Sequence, residues 1–112
     1  MSSVFVEIAA LDKLLHEPAR LSLMTALAAC KSADFLALQR LTGLTSGNLS
    51  VHLSKLAEAG LVVLEKQFVE KRPNTQVQIT EKGRQVTESH WTQLENLRRD
   101  AQKWQPDKPK DR

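Results

Sequence analysis

The chain has 112 residues, a formal net charge of +3, 26% charged residues and 41% hydrophobic residues. That length suits one modest domain with its own core, and no apolar run approaches the roughly 20 residues of a membrane span. The opening residues lack the basic segment and apolar core of a signal peptide, and the lone Cys30 excludes an internal disulfide, so a cytoplasmic protein is expected.

Val4, Ile8, Leu11 and Leu15 recur at helical spacing and predict a first helix over about Val4 to Leu15. His16-Glu17-Pro18 interrupts it. Proline suits a first helical turn, so a second helix starts at Pro18 and runs to about Cys30, with Leu21, Met24, Leu27 and Ala28 inward. His16, Glu17 and Arg20 are read as capping and bracing it, and Cys30 as a semi-buried small apolar residue. Lys31-Ser32-Ala33 is a short connection. Asp34 caps a third helix over about Phe35 to Thr42, with Phe35, Leu38 and Leu41 as its stripe.

Gly43 suits the left-handed end of that helix, and Thr45 can cap the next. In this fourth helix, Thr45 to Ala59, the residues Leu49, Leu53 and Leu56 share one face. Ser46, Asn48, Ser50, His52 and Lys55 stand elsewhere on it, and Gly60 stops it. Serine is a poor interior helix former, so Ser46, Ser50 and Ser54 in one helix need a reason. Small polar side chains let the backbone approach a second surface closely. The major groove of DNA admits one helix and displays base-edge donors and acceptors.

Beyond Gly60 the period changes. Leu61 to Leu64 and Thr75 to Thr80 are strand candidates flanking the polar Glu70-Lys71-Arg72-Pro73-Asn74. This is a hairpin whose tip carries Lys71 and Arg72, with Pro73 and Asn74 shaping the turn. Thr80 opens a last helix. Gly83 in its first turn permits close packing, and Val86, His90, Leu94 and Leu97 continue its stripe, with Trp91 alongside. His90, Leu94, Leu97, Ala101 and Trp104 form a stripe expected to dimerise together with the first helix. Residues 105–112, rich in proline and mixed charge, are expected to be a disordered tail behind one domain over 1–104.

Charge follows the same division. Residues 1–44 hold four basic and four acidic residues, 45–84 six and four, and 85–112 six and five. The excess of positive charge begins at the proposed groove-facing helix, as a polyanion partner requires. No Ser/His/Asp arrangement, phosphate-binding glycine loop or metal-ligand cluster is present in the sequence, so neither enzyme, metal nor cofactor is expected.

The order helix, helix, helix-turn-helix, hairpin, helix is that of a winged helix-turn-helix. Ser50-Val51-His52-Leu53 with Leu56, followed by Ala59-Gly60-Leu61-Val62, resembles the recognition stretch of ArsR-type repressors. The chain is still more similar to small MarR-like winged-helix regulators. The similarity lies in His16 to Leu21, Asp34-Phe35 with Leu38, and Thr42 to Leu56. Pro73 with Thr75, and Ile79-Thr80 with Gly83-Arg84, extend it over about residues 8 to 97. The resemblance implies a mainly α fold with a small β-hairpin (α+β), in which N- and C-terminal helices form a dimer interface. It implies a transcriptional regulator that binds double-stranded DNA as a homodimer at a palindromic operator. The scattered His and lone Cys do not carry over the clustered ligands of metal-sensing relatives, and any small-molecule effector is unspecified.

In that frame Asn48 and His52 are the candidate readers of base edges, because asparagine pairs bidentately with adenine. Lys55 meets phosphate. Thr45 and Ser46 face the backbone at the helix N-terminus, where free N–H groups favour an anion, and Ser50 belongs to the DNA-binding face. Gln39 or Arg40 could add a contact from the preceding helix. Lys71 and Arg72 touch flanking backbone or minor groove from a wing over residues 65–75. The rival is a winged-helix module that binds protein instead of DNA. Such a module would not need this set of polar and basic residues.

Overall fold

The computed structural model describes residues 3–106. The expected tail therefore lies, from residue 107 on, outside the described residues. Five helices and three strands follow in the order α1 (Val4–Ala9), α2 (Pro18–Cys30), β1 (Ser32–Asp34), α3 (Phe35–Thr42), α4 (Ser46–Glu58), β2 (Val62–Val69), β3 (Arg72–Ile79) and α5 (Glu81–Lys103).

The helix starts are set by caps. The Asp34 side chain accepts from the Ala37 N–H, Thr45 from Asn48 and Thr80 from Gly83. Each satisfies a donor that the first turn leaves free. Glu17 caps α2 by accepting from the Ala19 N–H, with Pro18 in the first turn. The first helix is shorter than its periodicity predicts, ending at Ala9. Asp12 there turns back to accept from the Leu14 N–H. Arg20 donates to the carbonyls of Leu14 and Lys13, pinning residues 13 and 14 as an irregular segment. Leu11 and Leu15 are still buried, but from a loop.

The connection after α2 is also more ordered than expected. Ser32, Ala33 and Asp34 pair with Gln78, Val77 and Gln76 of β3, making a three-stranded antiparallel sheet in the order β1-β3-β2. Leu15, Leu23, Met24, Leu27, Leu38, Leu49, Leu53, Leu56, Leu61, Val62 and Val77 form the main core between helices and sheet. Two inward assignments fail. Leu41 is 67% exposed, because α3 contributes Leu38 to the core and ends one turn later. Cys30 is exposed rather than half-buried, since it is the last residue of α2 and lies past the core face.

A second, smaller cluster joins Val4, Leu11 and Leu97, with Leu94 and Ala101 against it. Phe5 and Trp104 meet edge to face with centroids 5.1 Å apart. The α5 stripe expected at a dimer interface thus packs in part on α1 of its own chain. Phe5, Val6, Ile8 and Trp104 keep substantial exposure around that contact, whereas Trp91 turns to α2, where its Nε1 donates to Thr25 Oγ1 at 2.9 Å.

His90 of α5 is 4% exposed, with Nε2 lying 3.3 Å from Nδ1 of His16. Burial, and then the charge of His16, lower its pKa from 6.5, while Asp12 opposes them. Protonation is therefore harder in the folded chain than in the unfolded one. Below about pH 6.5 the unfolded state takes up the extra proton, so stability falls as pH drops through that value. Urea midpoints at about pH 7.5 and about pH 5.5 should differ more for the wild type than for His90→Gln. Equal differences would remove His90 from this role.

Candidate nucleic-acid interface

α4 is presented by its two ends. At its start, Gly43 adopts φ +72° and the chain re-enters a helix through the Thr45 cap. At its end, the Gly60 N–H bonds the Ala57 carbonyl and the Leu61 N–H the Leu56 carbonyl, with Gly60 at φ +78°. This pattern stops the helix at a left-handed residue. Two further donors come from the N-terminal turn of α5: Thr80 Oγ1 donates to the Gly60 carbonyl at 2.7 Å, and Lys82 Nζ to the Ala59 carbonyl at 3.1 Å.

Leu49, Leu53 and Leu56 fix the buried face of α4. Thr45, Ser46, Asn48, Ser50 and Lys55 are all exposed, as the sequence reading required. The centre of the free face holds Gly47, Val51 and Ser54. An added Cβ at Gly47 would meet nothing within 4 Å, and Val51 is 53% exposed. This low relief is what a close-approaching surface needs. Val51 is not among the expected site residues, although its place opposite the leucines is readable from the 3.6-residue period. Glu58 is the one carboxylate among residues 45–59, and it stands in the last turn.

His52 differs from its expected role. Only 19% of its side chain is exposed, and its ring faces α2. Arg20 Nη1 lies 3.1 Å from His52 Nδ1. A guanidinium can only donate, so in this contact Nδ1 is the acceptor. Glu17 Oε2 is 3.3 Å from the same nitrogen and 3.4 Å from Arg20 Nη1, and it is buried without a hydrogen-bond partner. Glu17 and Arg20, read as braces of α2, therefore also hold α4 through His52. That contact spans 32 residues of sequence and leaves no local signal.

The wing is longer and its turn tighter than expected. β2 and β3 pair from Val62↔Ile79 to Val69↔Arg72, leaving only Glu70 and Lys71 as the turn. Both have positive φ, 52° and 66°, the geometry of a two-residue turn that matches strand twist. Arg72 is thus the first residue of β3, and Pro73 and Asn74 belong to the strand rather than to the tip. Pro73 is tolerated because β1 covers β3 only at Gln76 to Gln78, so no neighbour on that side lacks a donor. Lys66, Lys71 and Arg72 are exposed along this arm.

Among the described residues no group of three or more His, Cys, Asp or Glu could hold a metal ion. No helix among them is long and apolar enough to cross a membrane.

Comparison with known proteins agrees with this architecture. An uncharacterized protein of Methanocaldococcus jannaschii is 35% identical over 72 residues, spanning 64% of this chain and 78% of that protein. A solved transcriptional regulator homologue from Pyrococcus horikoshii OT3 is similar with a TM-score of 0.78 at 31% identity, over 86% of this chain and 94% of the other. A MarR-family transcriptional regulator from Silicibacter pomeroyi shares the fold at 22% identity, with a TM-score of 0.62 over 85% and 61% of the two chains. The winged helix DNA-binding domain matches residues 19–98. With its helices packed on a three-stranded sheet whose β2–β3 hairpin forms an extended wing, the chain belongs to the winged helix DNA-binding domain family.

Proposed function

We propose that the chain is a sequence-specific transcriptional regulator that works as a homodimer, with α4 in the major groove and the β2–β3 wing on flanking DNA. The observation that carries this is the free face of α4. It is low in relief, polar, and free of carboxylates until its last turn, and it sits beside a wing bearing Lys66, Lys71 and Arg72. Asn48 reads a base edge, and Val51 is placed to meet a thymine methyl. Thr45 and Ser46 contact phosphate at the helix N-terminus, and Ser50 lies on the DNA-facing side one turn further on. Lys55, Lys71 and Arg72 neutralise phosphates. His52 positions the helix from behind rather than reading sequence.

The dimer is supported by shape. The radius of gyration is 18.5 Å, where a compact chain of this length has about 13 Å. Among the described residues, the far end of α5 packs on the short α1 and on Leu11. Phe5, Val6, Ile8 and Trp104 offer the surface that a second copy would cover. Two recognition helices then read a palindrome with fixed half-site spacing.

Selection of bound duplexes from fragmented genomic DNA tests the proposal. The expected result is an enriched site with twofold symmetry, bound by a protein of twice the chain mass. Lys55→Ala and Arg72→Ala should weaken all duplexes alike, each flattening the salt dependence of log K by about one unit. Recovery of no sequence above background would refute sequence-specific binding. A monomeric mass would refute the dimer.

A further inference from the structure

The wing carries a feature that phosphate contacts do not account for. Phe68 is 77% exposed near the end of β2, directly across from Pro73. Side chains alternate between the two faces of a strand. Lys66 and Thr75 therefore share the face of Phe68, while Glu65 and Gln67 lie on the other. The ring thus sits on a face of the wing with a cation and no strand carboxylate. The adjacent turn holds one charge of each sign, Glu70 and Lys71.

The reach is sufficient. Val77, paired with Leu64, is the last fully buried residue on β3. Five more residues carry β2 to Val69, about 17 Å at roughly 3.3 Å per residue. A two-stranded ribbon fits the major groove but not a minor groove about 6 Å wide. What enters a minor groove from such a wing is a side chain. Phe68 is the largest one free to do so, and Lys66 on its face, Lys71 in the turn and Arg72 at the start of β3 outnumber the turn's one carboxylate, Glu70.

We propose that Phe68 is a minor-groove wedge. It presses its ring against a flexible pyrimidine–purine step beside the recognition half-site and bends the duplex, while Lys66 and Lys71 hold the phosphates around it. Apolar side chains used in this way partly unstack a base step and kink the helix. Such steps deform most easily, so the wedge adds sequence preference at a position without hydrogen-bonded readout. The inference rests on the DNA-binding reading above.

The test uses the full chain and a duplex recovered by the selection. The duplex carries 2-aminopurine at the flanking step and a dye pair at its ends. Wild-type protein should raise the 2-aminopurine fluorescence and shorten the end-to-end distance. Phe68→Ala should bind about ten-fold more weakly and give neither signal, whereas Phe68→Leu should retain most of both. Arg72→Ala should lower the salt dependence yet keep both signals. Because Phe68 packs on little in the free chain, Phe68→Ala should melt as the wild type does. Wild-type binding with equal affinity and equal signals from Phe68→Ala would overturn the wedge and leave the regulator reading intact. A lower mass for DNA-free Phe68→Ala would also overturn it, by assigning the ring to a protein interface along the open β2 edge. Failure of the wild type to bind any duplex would overturn the regulator reading itself, and the wedge with it.

Discussion

Gly83→Ala is expected to destabilise the fold by about 2–4 kcal/mol and to weaken DNA binding with it. A Cβ at this position would stand 2.1 Å from the Leu61 carbonyl oxygen, 3.0 Å from its carbon and 3.1 Å from Ile79 Cγ1. Two of these are backbone atoms, so no rotamer change relieves the clash. The same Leu61 oxygen accepts the Thr80 N–H at 3.0 Å. Moving it away strains the junction where α4, β2 and α5 meet. Alanine is a better helix former than glycine by about 1 kcal/mol, which offsets only part of the loss. Gly47→Ala supplies the control with opposite sign. Nothing lies within 4 Å of an added Cβ there, so a gain of up to about 1 kcal/mol is expected. Urea denaturation of both variants checks the pair, and equal midpoints would refute the steric reading of Gly83.

Asn48→Ala is expected to cost about 1–3 kcal/mol at the selected site, a ten- to hundred-fold loss, with little change on unrelated duplexes. Asn48 is exposed on the same flank of α4 as Lys55, seven residues further on and about two turns away. The lysine should act through charge and the asparagine through its two-point amide, so their variants should differ in kind. Competition binding with cognate and scrambled duplexes separates them. Uniform loss across both for Asn48→Ala would place it on the phosphates instead. His52→Ala is a third case. It should behave as a loosened helix, shifting the melting temperature as well as affinity, because its ring contacts Glu17 and Arg20 of α2.

The parts of the fold that were legible are those with local punctuation. Pro18, Asp34, Thr45 and Thr80 mark helix starts through their own side chains or ring, and Gly43 and Gly60 mark ends through their backbone freedom. The parts that were not legible depend on partners distant in sequence. The three-residue strand at Ser32 exists only because Gln76 to Gln78 run beside it. The early end of α1 depends on Arg20 drawing the carbonyls of Lys13 and Leu14 to itself. The wing turn falls on Glu70 and Lys71, neither of them a residue that favours positive φ, so the neighbouring Pro73 and Asn74 drew the assignment instead. On the candidate interface, exposure of Thr45, Ser46, Asn48, Ser50 and Lys55 followed directly from the leucine spacing. The inward turn of His52 did not, because the helical period places it on the border between faces and only α2 decides which side wins.

The donors that Thr80 and Lys82 extend to the last carbonyls of α4 have a mechanical outcome. The long C-terminal rod is tied to the end of α4 through Gly60, Ala59 and the tight seat of Gly83. Were the rod to swing, those contacts would carry part of the movement into the position of α4. In an assembly of two copies, a few degrees at the pivot would alter the distance between the two reading heads, and with it the separation of base pairs the pair can straddle.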